Sequence, residues 1–479
     1  MPGLESLFQV NEINIILAII GALISIFIIA YVHQYIKQKK ILYYINNIVF
    51  IFSFILIIFT NNWLLFFTGW EFVTITTSIM LIWKNKGLMG QYFILQFVGS
   101  HILLMAILIA VNRGYNTIMP INQIWLQNLF IIGVGMKSSL IGFHLWLPSI
   151  YKQAPIIFNA VSSGWAVKLG FIFLLKIINS GNDLLFWAGI IMIILGGIRA
   201  LTSLDAKVLL AYSSISQLGY IAIGIASGSK YGYIGSILFI IAHGLAKTGL
   251  FLSTENYIKE NRSQIITDFK NAWEKHKLSS ICIILSSASM MGLPFLPGFS
   301  SKYLIKYSFH NNILITVTLY VGSILTVLYT LRFIYIAIIN DMIKNIKSAD
   351  ISNPADKKNI QISENIILIL IGTFLLLIGI NYKDVLIVIS ENTIKIKSVE
   401  GFIEILIYLV ISIVILIKFD FLKGFNKKTY SLDDLFNKIN KKLYHSGRYL
   451  NNLLYQDFQY QLLFIPLFLL LIFSYIYLI

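Results

Sequence analysis

The strongest constraint on this chain is its succession of long apolar runs, because a segment that leaves water must satisfy its own backbone as a helix or within a closed barrel. At about 20 residues per crossing, the runs near 12–36, 41–60, 62–82, 89–112, 122–147, 156–178, 183–203, 206–226, 230–256, 278–305, 311–339, 364–382, 401–418 and 460–478 predict about fourteen transmembrane helices. Composition agrees: 57% of the 479 residues are hydrophobic, 12% are charged, and the mean hydropathy is +0.79. The expected fold is therefore an all-α, polytopic membrane protein. The net charge of +16 does not imply a nucleic-acid partner, since the lysines fall in loops between apolar spans rather than in one basic domain. With Cys282 as its single cysteine, the chain can build neither a disulfide nor a cysteine-ligated iron–sulfur or zinc site. No cofactor is expected in it, and any redox metal would sit in a partner.

Loops on one side of the membrane carry most of the Lys and Arg, from Lys37, Lys39 and Lys40 through Lys152, Lys207 and Lys270 to Lys357 and Lys358. The other side receives Arg113, Lys230, Lys383, Lys395 and Lys397. The positive-inside rule then places the first set in the cytoplasm or mitochondrial matrix and both chain ends on the outer side. The first fourteen residues, MPGLESLFQVNEIN, are acidic where a cleavable signal is basic, so the first helix is expected to be retained.

Two spans read as broken. The run 278–305 carries Gly292, Pro294, Pro297 and Gly298 in its middle, and 122–147 holds Gly142 and runs into Pro148. Such interruptions at membrane depth need protein or a cavity to satisfy the freed backbone groups, and a pair of them points to inverted repeats. The chain thus divides into N-terminal helices over 1–61, a first half over 62–178, a second over 183–339 and C-terminal helices over 340–430. A final crossing over 460–478 follows residues 431–458, where Leu432, Leu435, Phe436, Ile439, Leu443, Leu450 and Leu453 recur at helical spacing among charges. That pattern is an amphipathic surface helix, lying either at the lipid interface or as a brace across other helices.

A charge deep in a transmembrane helix costs about 2.5–3.5 kcal/mol on insertion scales and needs a structural partner or a function. Glu71, Lys137, Lys168, His243, Lys247 and Lys302 all fall within apolar spans, one acid against four lysines. His243 and Lys247 are four residues apart and share a helix face. At about 4 Å and an effective dielectric near 20, a carboxylate is worth about 4 kcal/mol to a lysine, or roughly three pKa units. A carboxylate that approaches and retreats could switch such a lysine between holding and releasing a proton. The structural alternatives are snorkelling or fixed ion pairing. Arg199 and Arg332, nearer helix ends, are expected to snorkel. His101 and His144 are expected to be polar packing groups, and Trp70, Trp146 and Trp165 packing or interface residues. The interior histidines do not form the facing pairs that haem requires, and no phosphate-binding loop, dinucleotide fingerprint or HExxH is present.

The segments GWEFVTITTSIML at 69–81, KSSLIGFHLWLPSIYKQAP at 137–155, LDAKVLLAYSSISQLGY at 204–220, AHGLAKTGLFL at 242–252 and GLPFLPGFSSKYL at 292–304 follow one another in a distinctive order. In this the chain resembles the antiporter-like subunits shared by respiratory complex I, membrane-bound hydrogenases and Mrp-type sodium/proton antiporters. The resemblance implies two inverted five-helix repeats, each with a broken helix, and a polar axis along the membrane midplane. It also implies that Glu71 pairs with Lys137, that Lys168 links the halves, that His243 and Lys247 form a central relay, and that Lys302 is the terminal lysine. Protons, or sodium and protons, would be moved within a multi-subunit complex of the bacterial or mitochondrial inner membrane. Ser149, Ser163 and Val208 depart from residues common in the family. The alternatives are a structural or assembly subunit with a degenerate channel and an ion-coupled inorganic-carbon uptake subunit.

Overall fold

A helix end leaves four backbone groups unpaired, and the side chains that satisfy them mark the boundaries of this fold. The computed structural model describes residues 7–33, 40–82, 86–270, 272–310, 312–340, 362–390 and 398–418. All belong to the first of two units, Met1–Gly424; the second, Phe425–Ile479, lies outside the described residues and includes the expected surface helix 431–458 and crossing 460–478.

The chain opens with four continuous helices, α1 (Glu12–Val32), α2 (Lys40–Phe59), α3 (Trp63–Ile82) and α4 (Lys86–Asn112). Next come α5 (Ile124–Gly135) and α6 (Trp146–Gln153), separated by turns, and α7 (Ile156–Gly164) and α8 (Leu169–Ile177), joined by a 3-10 turn over Ala166–Lys168. Three long helices follow: α9 (Asp183–Thr202), α10 (Ala206–Ala226) and α11 (Lys230–Asn261). The remainder comprises α12 (Lys277–Met291), α13 (Pro297–Tyr307), α14 (Ile313–Ile334), α15 (Ile362–Ile380), α16 (Tyr382–Ser390) and α17 (Ser398–Lys418). A π-helical turn, Tyr335–Ile339, extends α14. Among the described residues, 10 helical stretches are long and apolar enough to cross a membrane, with shorter apolar helices at Ile124–Gly135, Lys277–Met291 and Glu364–Ile380. Extended pairing among them is confined to two isolated bridges, Phe8 with Thr60 and Asp205 with Ile265.

Polar side chains at the N-caps set where these helices begin. Asn182 accepts from Leu185 N at 3.0 Å to start α9, and Ser229 accepts from Gly232 N at 3.1 Å to start α11. Asp205 does so twice, from Lys207 N at 3.0 Å and Val208 N at 3.1 Å, and burial pushes its carboxyl above the ordinary range. Replacing Asp205 by Ala is expected to cost about 1 kcal/mol, read as a lowered melting midpoint of the detergent-solubilised protein.

Helix α11 is the centre of the fold. Apolar residues run right round it, which suits a helix enclosed on all sides rather than one facing lipid. It packs against α1, α7, α10, α12, α13 and α15, and residues from Ile234 to Thr254 are buried without exception. His243 and Lys247 are thereby held in the interior.

Both expected breaks are present. After α5 the chain turns over 136–145, with Ser139 at φ 52° and Gly142 at φ 89°, and resumes as α6 rather than ending at 147. Pro148 lies in the first turn of α6, where its missing N–H has no intrahelical partner to lose. The second break ends α12 at Gly292, φ 88°, whose N–H bonds Ala288 O and Ser289 O, both at 3.1 Å. Pro294 sits in the connecting turn and Pro297 starts α13. Gly298 lets α13 seat directly on the end of α12: a Cβ there would fall 1.7 Å from Ser289 O.

The structure also departs from the sequence reading at Trp165 and at Arg332. The run 156–178 is not one helix but breaks at Trp165, where Ser163 O turns from the backbone ladder to the Lys168 ammonium. Arg332 does not snorkel; it is fully buried and its Nη1 donates to Ser203 O at 2.9 Å. Ser203 is the C-cap of α9, so the guanidinium sits where helix-terminal carbonyls concentrate negative potential.

Candidate functional site

Of the six ionisable residues singled out within the spans, Lys137, Lys168, His243, Lys247 and Lys302 are all buried, Lys302 being the most exposed of them at 4%. They therefore face neither lipid nor bulk water. What holds Lys137, Lys168 and Lys247 is mostly main chain.

Lys137 lies in the turns between α5 and α6 and reaches across to the unbroken helix α3. Its Nζ donates to Trp70 O at 2.7 Å and to Thr74 Oγ1 at 2.8 Å, and stands 4.0 Å from the centre of the Trp70 indole. Trp70 is thus more than packing, since its ring face adds a cation–π contact. Glu71 is within electrostatic reach of Lys137 but makes no ion pair with it. Its Oε1 is buried without a hydrogen-bond partner among the described residues.

Lys168 belongs to the unexpected break. Its Nζ donates to Ser163 O, while Ser163 Oγ and Ser214 Oγ share a hydrogen bond of 2.9 Å. On α10, Ser214 Oγ also donates to Leu210 O at 2.9 Å, and the same carbonyl accepts from Lys247 Nζ at 2.9 Å. Lys247 is hydrogen-bonded to Ser213 Oγ as well. The two lysines are therefore joined through Ser163, Ser214 and the Leu210 carbonyl. The turn carrying Lys137 abuts the helix after this break, for a Cβ on Gly170 would fall 2.0 Å from Ser138 Oγ.

His243, one turn before Lys247, has both ring nitrogens buried without hydrogen-bond partners among the described residues, and Lys168, Lys247 and Lys302 all lie within electrostatic reach of it. Lys302, on α13 just after the second break, likewise has no hydrogen-bond partner for Nζ among the described residues. Its ammonium stands 4.6 Å from the Tyr220 ring centre and 5.6 Å from that of Phe239. It lines a cavity of about 20 Å³, room for about one water molecule. Gly142 and Pro148 shape the Lys137 turn, and Pro294, Pro297 and Gly298 shape the approach to Lys302.

Three charged groups escape a reading of the sequence by loops and spans. Lys207, counted there as a loop charge, is buried, 3.4 Å from Glu255 Oε2 and 3.2 Å from Ala154 O. Lys176 bonds Ile58 O at 2.6 Å and Thr60 O at 3.1 Å at the end of α2. Lys306, one turn beyond Lys302, is ion-paired with Glu404 of α17. Its signal was available: a lysine four residues after a candidate site and an acid within the apolar run 401–418. Among the residues expected to be bland, His101 fits its reading, bonding Phe97 O at 2.8 Å and lying against that ring.

Comparison with known proteins bears on this arrangement. Residues 60–328 match the model of the NADH:quinone oxidoreductase/Mrp antiporter transmembrane family. The mnhA2 antiporter subunit of Staphylococcus saprophyticus is 26% identical over 373 residues, covering 67% of this chain and 47% of that protein. Its counterpart in Staphylococcus aureus is 27% identical over 334 residues, covering 61% and 42%. The chain spans about half the length of the curated relatives it matches. Its fold is similar to a chain of the Mrp complex from Dietzia sp., with TM-score 0.75 and 19% identity over 93% of this chain and 53% of that one. It is also similar to a chain of respiratory complex I from Thermus thermophilus, with TM-score 0.66 and 19% identity over 80% and 86%.

Proposed function

We infer the function of this chain from one premise: it belongs to the NADH:quinone oxidoreductase/Mrp antiporter transmembrane family, as an integral membrane protein. We propose that it translocates protons, alone or in exchange for sodium, as a membrane subunit of a complex I-like or Mrp-type assembly. Protons load near Glu71 and Lys137, pass Lys168, then Lys247 and His243, and leave by way of Lys302. In this reading the chain has no redox group of its own, and the driving energy comes from partner subunits or from the exchanged ion.

The observation that carries the proposal is the burial of Lys168, Lys247 and Lys302 within electrostatic reach of the buried His243, with Lys168 and Lys247 tied into one hydroxyl and carbonyl network by Ser163, Ser214 and Leu210. The Ser163 and Leu210 carbonyls only accept, so they hold the two ammoniums in place and protons would pass between them by water. Groups with unsatisfied hydrogen-bonding capacity, His243 and the Lys302 ammonium, lie beyond this network. Water would bridge the gaps that side chains leave, at little enthalpic loss relative to a direct hydrogen bond. The expected carboxylate switch is not beside Lys247 or Lys168; both are held by carbonyl and hydroxyl oxygens. Loading would therefore be controlled at the ends, where Glu71 and the other acids lie.

We read the fourteen crossings and inverted halves in the same way. The second half runs α9, α10, α11, α12 with α13, and α14, so its broken member is the fourth of five. Counting likewise around the first break brings α2 into the first half, which would begin near Lys40 rather than at residue 62. Both chain ends would lie on the outer face of a bacterial or mitochondrial inner membrane.

The test is to purify the chain with whatever assembles on it from gently solubilised membranes, reconstitute the assembly, and follow internal pH with a trapped dye. A pH change on energisation or on imposing a sodium gradient, collapsed by a protonophore, is expected. No response from an intact assembly under either drive would overturn the proposal.

A further inference from the structure

We propose that Glu404 is the outlet carboxylate through which Lys302 unloads its proton to the outer side, a reading that rests on the translocation function proposed above. Lys302, Lys306 and Tyr408 line one cavity, along with Ser323 and Tyr303. The Lys302 ammonium is buried, has no hydrogen-bond partner among the described residues and borders this cavity, which gives its proton a water-sized way out. Lys306 follows one turn later on α13, and its ion-pair partner Glu404 of α17 lies behind the lining, hydrogen-bonded to the lining residue Tyr408.

Glu404 is unusually well dressed for a carboxylate in an apolar helix. Tyr408 donates to its Oε2 at 3.2 Å and Tyr320 to its Oε1 at 3.3 Å, while Lys306 Nζ stands 3.4 Å from Tyr408 Oη. Of the Glu404 side chain 28% is exposed, against 12% for Lys306, so the carboxylate is the more open end of the pair. Both residues lie near the helix ends remote from the basic loops: Lys306 is the penultimate residue of α13, and Glu404 is in the second turn of α17.

Charge balance sets the direction. When Lys302 is protonated, two ammoniums one turn apart share one carboxylate, and like charges at that spacing repel. The repulsion is relieved when the Lys302 ammonium loses a proton to a cavity water, which passes one on to the Glu404 carboxylate, with Tyr408 as a hydrogen-bonded neighbour. Lys302 is left as the neutral amine and Glu404 as the neutral acid. Glu404 then releases its proton to outer water and recovers its ion pair with Lys306, while Lys302 is reloaded from His243 and Lys247. Lys306 keeps its proton throughout.

The experiment compares proton flux in membranes carrying the full chain and its partners, for Glu404→Gln, Glu404→Asp, Lys306→Gln and Lys247→Ala. Glu404→Gln is expected to lower flux by about 10²-fold, within the range for losing a positioned acid–base group, while Glu404→Asp keeps most of it and Lys306→Gln, which removes the repelling ammonium but leaves the acceptor carboxylate, loses less than Glu404→Gln. Equal losses in Glu404→Gln and Lys306→Gln, with a lowered melting midpoint in both, would make the pair merely structural and overturn the outlet. So would undiminished flux in Glu404→Gln. If Lys247→Ala is dead in that last case, the translocation reading stands and the outlet alone fails; if Lys247→Ala also conducts, both fail.

Discussion

Lys247→Ala is expected to stop proton flux, by about 10²-fold or more, while the protein remains in the membrane at its normal level. The side chain stands at the middle of the central helix α11, fully buried, with Leu210 O and Ser213 Oγ as its partners. Removing it takes out the titratable amine that lies within electrostatic reach of both Lys168 and His243. Folding should survive, because alanine is the best helix former and Ser213 and Ser214 still donate to Leu210 O, each at 2.9 Å. The companion Lys247→Arg separates two explanations. A guanidinium stays protonated at any accessible pH, so arginine supplies the charge without the ability to release a proton. Flux is expected to be lost in this variant too; rescue by arginine would mean that the position needs only a cation.

The second large effect concerns stability rather than flux. Gly298→Val is expected to cost about 3 kcal/mol or more, because the intruding Cβ lies 1.7 Å from Ser289 O and 2.8 Å from its carbon. Those atoms are backbone at the end of α12, and no rotamer change can move them away. The two halves of the broken helix would separate, and with them the setting of Lys302. Cys282, on α12 and buried, is the chain's single thiol, so a thiol-reactive dye reports opening of this region on heating. The melting midpoint of Gly298→Val should fall well below that of Gly90→Ala, where a Cβ meets nothing within 4 Å and no loss is expected. Equal midpoints would mean that the break tolerates a looser seat.

Much of the helical framework was legible because apolar runs without charge have few other options in a membrane, and breaks announced themselves through Gly142 and through Pro294, Pro297 and Gly298. The third break was not legible. Ser162, Ser163, Gly164 and Trp165 carry no proline, and where α7 stops the Ser163 carbonyl is taken by the ammonium of Lys168, five residues on. Periodicity counts side chains and is blind to which acceptor a carbonyl finds. The candidate residues were found as charges out of place, while the partner expected for Lys137, Glu71, came from the family resemblance. In the folded chain the nearer oxygens are Trp70 O and Thr74 Oγ1. Arg332 was misread for a related reason: a span-end position suggests water, whereas the end of α9 was the closer polar surface. Lys306 and Glu404 were missed because they are 98 residues apart and meet only through tertiary packing.

Trp70 O, Ser163 O and Leu210 O, which hold Lys137, Lys168 and Lys247, are peptide oxygens. Every amino acid supplies one, so point substitution cannot delete them. The cationic half of the arrangement is exposed to mutation, while the half that cradles it is encoded by helix placement alone. Substitution at 70 or 163 would lose the Trp70 ring face or the Ser163 hydroxyl, but would leave each carbonyl acceptor in place. An engineer seeking to retune the affinity of these lysines for protons would gain more by shifting a helix terminus than by exchanging the side chain above it.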